Sequence, residues 1–547
     1  MKKLLSIFFI AILFVSAGCK KSFFDINQNP NSPTEESLTP ELLLPRATVR
    51  AAAKIANSYS NYGGWMGYWA RSGTYGANQS QEGYTLDASF ESDEWTGWYD
   101  ILYDFDIAEK KATEKGQNYY IGMAKVFKAI GFMYLVDQYN NVPYTEAFDL
   151  QNHLTPKYDK GPAIYADLIA QLNTAIELFS ADGVDADPGI PTVDKVYGGD
   201  AGQWAKLANT LKLKLLIHES EVISDSEATS ELASTASVGY LNTLTASYSS
   251  HANNPFGGSD EGAYVQPGYQ ADNLKQNPFW DSYDTDFTGS QVNDYWRANN
   301  FMLQKVFGVS GNSYYDERLF SVYDEARTPL AQTISGYYSG ANFGEVTPNT
   351  GPQAVNQSDV SGPSLAISAT QAQWIFTVVE SRFLQAEAIA RGWIPGDGED
   401  AFEAAVESSF TWLGVPEQYQ TWEMYLAGES DGGIIPSDAY KARFLNYTGS
   451  VSNRIRIIAT QKHIALAGIN NFESWVDYRR LDGDEAIYSA ADEQAALLSF
   501  SPDRNGKNIP LRLIYSQTEY NYNAANVAAE GTINPQSSRI FWDAGAR

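Results

Sequence analysis

The chain has 547 residues, 44% of them hydrophobic and 14% aromatic against 19% charged, a composition that builds a large folded core and excludes a disordered, collagenous or disulfide-stapled protein. Asp and Glu number 66 against 38 Lys and Arg, and the net charge of -28 repels phosphate backbones and anionic headgroups, which argues against nucleic acid as a partner. The single cysteine, Cys19, leaves no thiol pair for an internal disulfide or a Cys-based zinc cluster.

Lys2 and Lys3 precede an apolar run from Leu4 to Val15, then Ser16, Ala17, Gly18 and Cys19, which is the layout of a secretory signal peptide over residues 1–18. As a helix that run spans about 18 Å, short of a bilayer core of about 30 Å, and no other stretch reaches 18 consecutive apolar residues. A cysteine placed directly after small residues resembles the bacterial lipobox, with Ser16 where Leu is usual. That resemblance implies acylation of Cys19, and several acyl chains at about 0.8 kcal/mol per buried methylene anchor a protein stably. The chain from Cys19 onward loses Lys2 and Lys3 and carries -30, against -28 for the whole. Residues 19–40, with "INQNPNSPTEESLTP", hold too few apolar groups to fold alone and read as a lipidated tether.

From residue 41 onward, helical periodicity recurs. The stripes are Met123, Phe127, Ile130 and Tyr134; Ile164, Leu168, Leu172, Ile176 and Phe179; Trp204, Leu207, Leu211 and Leu215; Ile375, Val379, Phe383 and Ala386; and Phe402, Val406 and Phe410. Such stripes bury against one another, which predicts a mostly α fold of paired helices in layers. No repeat of about 34 residues runs in strict register, so any tetratricopeptide-like repeats are degenerate. Between about 240 and 365 the stripes fade into Gly, Asn, Ser and Asp interleaved with aromatics. With no linker on either side, this segment reads as a loop-rich insertion packed on the helices of one domain, 41–547.

Seven segments in order, from "DINQNPNSPT" and "YLVDQYNNVPYTEAF" through "GGDAGQWAKLANTLKLKL" and "QKHIALAGINNFESWVDYRRLDG" to "IPLRLIYSQTEYNYNAANV", resemble the SusD/RagB-like nutrient-binding outer-membrane lipoproteins of Bacteroidetes. They point to the branch with a long C-terminal Tyr/Asn-rich ending. The resemblance implies tetratricopeptide-like helix pairs with a loop-rich ligand face. It implies a cell-surface lipoprotein in the outer membrane that binds an oligosaccharide, or alternatively an oligopeptide. Such a protein delivers its ligand to a SusC-like TonB-dependent transporter, without catalysis and without a cofactor.

A surface glycoside hydrolase is the reading from another class. It needs a nucleophile with a base, or two carboxylates facing one bond. His153, His218, His251 and His463 lie in no HExxH spacing, and the neighbours Asp93 with Glu94 and Asp260 with Glu261 are expected as solvated faces. Asp284, Asp286, Thr288 and Gly289 fit the opening of a calcium loop, but the twelfth position is Tyr295 where such loops carry Glu, so a turn is expected there.

The aromatics are the strongest candidates for ligand contact, because a flat ring offers apolar surface to the C–H face of a sugar while amides and acids bond its hydroxyls. Trp280, Tyr283, Tyr295 and Trp296 lie in the insertion with Asn293, Arg297 and Asn299 nearby. In "GGWMGYWARSGTYGANQSQ", Trp65 and Trp69 stand at i, i+4 and read as core, whereas Tyr75 follows Gly73 and Thr74 beside Asn78 and Gln79 and reads as loop-borne. Trp95, Trp98 and Tyr99 lead into a helical stripe and read as structural.

Overall fold

The computed structural model describes residues 37–255, 258–307, 316–328, 337–345, 353–416, 421–427, 441, 444–481, 497–506 and 508–545. The signal peptide, Cys19 and the tether as far as residue 36 lie outside the described residues.

Helix α1 (Pro40–Ser58) opens on Pro40, whose fixed φ suits the first helical turn. After α2 (Ser60–Trp65) and β1 (Trp69–Arg71) come α3 (Ser92–Lys115) and α4 (Asn118–Tyr139). Only Gly116 and Gln117 join these two, and Gly116 at φ +67 caps α3 in the left-handed region, so the helices fold back on each other. Strands β2 (Val142–Pro143) and β3 (Tyr158–Asp159) bridge to α5 (Gly161–Phe179), followed by α6 (Ala201–His218) and α7 (Asp225–Ala233). Helices α3, α4, α5 and α6 pack each on the next. The stripe residues of α4, α5 and α6 are all buried, as their spacing predicts. Helix α4 is long and apolar enough to cross a membrane, yet 89% of its apolar window is buried inside the fold.

Among its described residues, the segment about 240–365 carries only short elements, including β4 (Ala263–Val265), α8 (Pro278–Tyr283) and β5 (Trp296–Ala298). They are stitched to the rest by antiparallel pairs: β5 lies on β1, and β4 lies on β6 (Gln373–Phe376). Beyond them α9 (Val378–Arg391) and α10 (Gly398–Leu413) form a second hairpin. Next come α11 (Val451–Ala465), α12 (Asn471–Arg480) and, near the C-terminus, α13 (Gln517–Tyr522). The fold is mostly α, with tetratricopeptide-like helix pairs and few strands.

Two expectations are corrected. Ile375 does not continue the stripe of Val379, Phe383 and Ala386. It sits in β6, and α9 begins at Val378 under the Thr377 cap, whose side chain accepts from Glu380 N. Nor are the paired acids all solvated, since Glu94, Asp260 and Glu261 are buried. Glu94 meets Lys54 at 3.2 Å, Asp260 accepts from Tyr264, and Glu261 meets Lys206 at 2.6 Å. Burial is tolerated because each carboxylate has a partner, and these partners point the neighbouring acids apart.

A chain of buried ion pairs ties the helix pairs together. Lys214 on α6 meets Glu380 at 2.6 Å and Glu473 at 2.7 Å, and Lys462 on α11 meets Glu473 at 2.7 Å and Asp477 at 3.0 Å. Arg480 closes the chain on Asp477 and Glu387. Each member satisfies the next, which is the condition for burying charge.

Candidate ligand-binding site

The β1–β5 ladder sets Arg71 opposite Trp296, so the loop after β1 meets the segment before β5 at one end of the pair. Ser72 N donates to Tyr295 O at 2.7 Å and Ser72 Oγ donates to Asp294 O at 2.6 Å, closing that end. Gly67 makes the approach to β1. Its φ is +74, and a Cβ there would stand 2.6 Å from the Phe301 ring.

The loop of residues 72–83 is wrapped around one buried ion pair. Arg71 Nε donates to both Glu82 oxygens at 3.0 Å, and its terminal nitrogens donate to Tyr75 O and, at 2.8 Å, to Glu345 O. Glu82 in turn accepts from Asn78 N at 2.9 Å and Gly344 N at 3.1 Å. The backbone that carries Tyr75 is therefore held by charge-assisted bonds although its side chain faces water.

Rings run from the core to that surface in an unbroken file. Trp374 contacts Phe279 at 5.0 Å between centroids, Phe279 contacts Tyr283 at 4.9 Å, and Tyr283 contacts Trp69 at 5.1 Å. Trp69 meets Trp296 at 5.9 Å, Trp296 meets Tyr295 at 5.0 Å, and Tyr295 meets Tyr75 at 5.3 Å. Tyr283 and Trp296 are 4% and 7% exposed, Tyr295 is half-buried, and Tyr75 is 41% exposed. The last two rings, tilted at 55°, form the solvent-facing end. Asn78 Nδ2 reaches the Tyr295 hydroxyl at 3.5 Å, and Gln79 binds Asp503 at 2.9 Å on the same rim.

The candidates named from sequence thus divide. Tyr75 and Tyr295 come together at the surface. Tyr283 and Trp296 back them from inside, and Trp280 stands half-buried on α8 outside the file, its backbone N–H donating to Asn277 Oδ1 at the helix cap. Asn293 is a turn residue whose Oδ1 accepts from Tyr295 N and Trp296 N. Arg297 is fully buried, meets Asp359 at 2.7 Å and Asp294 at 2.9 Å, and donates to the carbonyls of Ala354, Asn293 and Trp296, so its guanidinium is committed inside the fold. Asp286 Oδ1 accepts from Thr288 N, Thr288 Oγ1 and Ser290 N, and Gly289 lies at φ +81, which is the geometry of a turn. Among the described residues no three His, Cys, Asp or Glu side chains gather as a metal-binding group. Arg71 and Glu82, which hold the loop beneath Tyr75, have no signal in the sequence beyond lying near the rings.

Two larger concavities lie away from this end. One of about 700 Å³ is lined by Arg391, Arg480 and the start of α11, and both arginines are ion-paired. The other, about 340 Å³, lies between α3, α4 and α5 around Lys125, Lys128 and Tyr144.

Residues 30–516 match the sequence profile of a SusD-like family described as "Starch-binding associating with outer membrane". No curated protein matches the sequence. Among solved structures, a SusD homologue from Bacteroides uniformis superposes with a TM-score of 0.67 at 21% identity, covering 92% of this chain and 99% of that one. A SusD-like protein from Bacteroides thetaiotaomicron gives 0.65 at 20%, covering 92% and 98%. A chitin-binding SusD homologue from Flavobacterium johnsoniae gives 0.63 at 19%, covering 92% and 99%. At these identities the structures speak for the fold, and the profile match over most of the length speaks for membership: this chain belongs to the SusD-like family.

Proposed function

We propose that this protein binds an oligosaccharide without transforming it, at the Tyr75–Tyr295 end of the aromatic file, and hands it to a SusC-like TonB-dependent transporter in the outer membrane. The observation that carries the reading is a surface tyrosine pair, exposed Tyr75 on a rigid, ion-paired loop against half-buried Tyr295 before β5, with amides at its rim. A pyranose ring laid on the pair gains stacking worth about 0.5–1.5 kcal/mol beyond area burial. The amides of Asn78 and Gln79 supply donors and acceptors for its hydroxyls. Because the rings are backed by Trp296 and Trp69, little side-chain entropy is lost on binding. The family description and the chitin-binding relative support a glycan as ligand. Acylated Cys19 would hold the protein at the outer membrane, facing the exterior.

Titration calorimetry against maltohexaose, chitohexaose, xylohexaose and a panel of basic peptides tests the reading. It expects at least one glycan to bind, with an affinity that changes little between low and high salt. Binding confined to basic peptides, and weakening as salt screens the acidic surface, would overturn it in favour of peptide capture.

A further inference from the structure

Behind Tyr295 a file of polar side chains runs inward to a carboxyl at the start of α3. The Tyr295 hydroxyl donates to Gln81 Oε1 at 2.9 Å, Gln81 Nε2 donates to Asn61 Oδ1, and Asn61 Nδ2 donates to Glu91 Oε1. Asn61 and Gln81 are buried, and the Gln81 backbone is pinned because Gln81 O accepts from Trp65 Nε1 at 3.1 Å and Gln81 N donates to Asn78 Oδ1 at 3.2 Å. Glu91 has φ +51, a left-handed conformation that a glutamate adopts only when its surroundings over-determine it.

The donor inventory makes this file directional. An ionised carboxylate only accepts, so Asn61 must turn its NH₂ to Glu91 and its carbonyl to Gln81. Gln81 must then donate to Asn61 and offer its carbonyl to Tyr295, whose O–H is forced inward. A protonated Glu91 can instead donate to Asn61. Both amides then turn over, and Gln81 donates to the Tyr295 oxygen, which frees the phenolic hydrogen to point outward.

We propose that Glu91 is a positioning residue that sets the hydrogen-bond polarity of Tyr295 through Asn61 and Gln81. With Glu91 ionised, the phenol presents acceptor lone pairs to a ligand hydroxyl or amide N–H; with Glu91 protonated, it presents a donor to a ligand carbonyl or ring oxygen. The inference rests on the ligand face proposed above, since only there does the outward character of Tyr295 matter. Burial and the neighbouring Glu94 carboxylate push Glu91 up to about 8, opposed by Lys54 on α1. Asp93 also faces it from α3, Tyr62 from α2, Tyr139 from α4 and Tyr283 from α8. The reversal therefore falls within a pH range where the protein can be studied, with the donor form below about 8 and the acceptor form above it.

Neutron diffraction from deuterium-exchanged crystals of the full chain, at pH 6 and pH 9.5, reads the orientations directly and needs no ligand. The expected result is deuterium on Glu91 and an outward phenolic deuterium at pH 6, with a bare carboxylate and a phenolic deuterium aimed at Gln81 at pH 9.5. One amide orientation at both pH values overturns the proposal. In parallel, chitohexaose affinity should change about fivefold between the two pH values in the wild type and be flat in both Glu91→Gln and Tyr295→Phe. A pH profile that survives in Tyr295→Phe also overturns it. If chitohexaose binds none of these proteins, the glycan reading suffers, while the neutron maps still decide the role of Glu91.

Discussion

Tyr75 and Trp296 are separated by a single ring, Tyr295, on one file, yet truncating them removes different things. Tyr75 is 41% exposed and its backbone is fixed independently by Arg71, so Tyr75→Ala should weaken glycan affinity several-fold and leave the melting temperature nearly unchanged. Trp296 touches both Trp69 and Tyr295, and Trp296→Ala should cost about 3–5 kcal/mol of stability in a urea titration. Arg297→Met leaves Asp359 buried with only Arg327 as counter-charge and should cost about 3–5 kcal/mol. An Arg297→Met protein that melts like wild type but binds no glycan would return Arg297 to the ligand face. The sequence showed which rings stand near polar groups. Tyr295 and Trp296 are adjacent, however, and adjacent residues in extended chain point to opposite faces. Only the β1–β5 register, which no local pattern encodes, decides that Trp296 goes in and Tyr295 comes out.

At the level of helices, legibility followed amphipathicity. Helices α5 and α10 carry one apolar stripe each and are readable, whereas α12 is buried on every side and carries charged residues, so no one-sided stripe marks it: Glu473, Asp477 and Arg480 pair with α6, α9 and α11, and Arg479 donates to Asp137 O on α4. These helices also set the pH response. His463 on α11 stacks on Tyr68 at 4.3 Å, and burial pushes its imidazole down to about 3. Between that value and the unfolded 6.5 the unfolded chain binds the extra proton, so the His463 contribution is complete above pH 6.5 and is lost as pH falls. His218 opposes it. Though burial lowers its pKa, Glu473 and Asp137, each at 3.2 Å, raise it overall, so its contribution is complete below 6.5 and is lost as pH rises through the raised value. His463→Phe should therefore flatten the fall in melting temperature between pH 6.5 and 4.5. Below that, Glu387, held down to about 2 by Arg480 and Arg391 against its burial, adds a second decline that this substitution leaves in place. An unchanged slope above pH 4.5 in His463→Phe would assign the acid response elsewhere.

Across the whole molecule, long-range contacts join parts of the chain that lie far apart in sequence. Arg479 donates to Asp137 O at 2.6 Å, Tyr68 donates to His463 O at 2.7 Å, and β5 of the insertion lies on β1. Residues 41–547 should accordingly unfold in one transition, with far-ultraviolet circular dichroism and tryptophan fluorescence coincident; two separated transitions would divide the chain into independent units. Replacing Cys19 with Ser should move the protein from the membrane to the soluble fraction, and a wild type cleaved elsewhere and soluble would end the anchor proposal. Pull-down of the native protein in mild detergent should bring a large β-barrel partner with it. Capture of glycan by the surface pair Tyr75 and Tyr295 is tested most directly by calorimetry and melting on Tyr75→Ala/Tyr295→Ala with whichever oligosaccharide the wild type binds. Binding should weaken at least tenfold, since two stacking platforms are lost, in a protein whose melting remains cooperative. Wild-type affinity in that folded double variant would contradict it and place the ligand face elsewhere on the molecule.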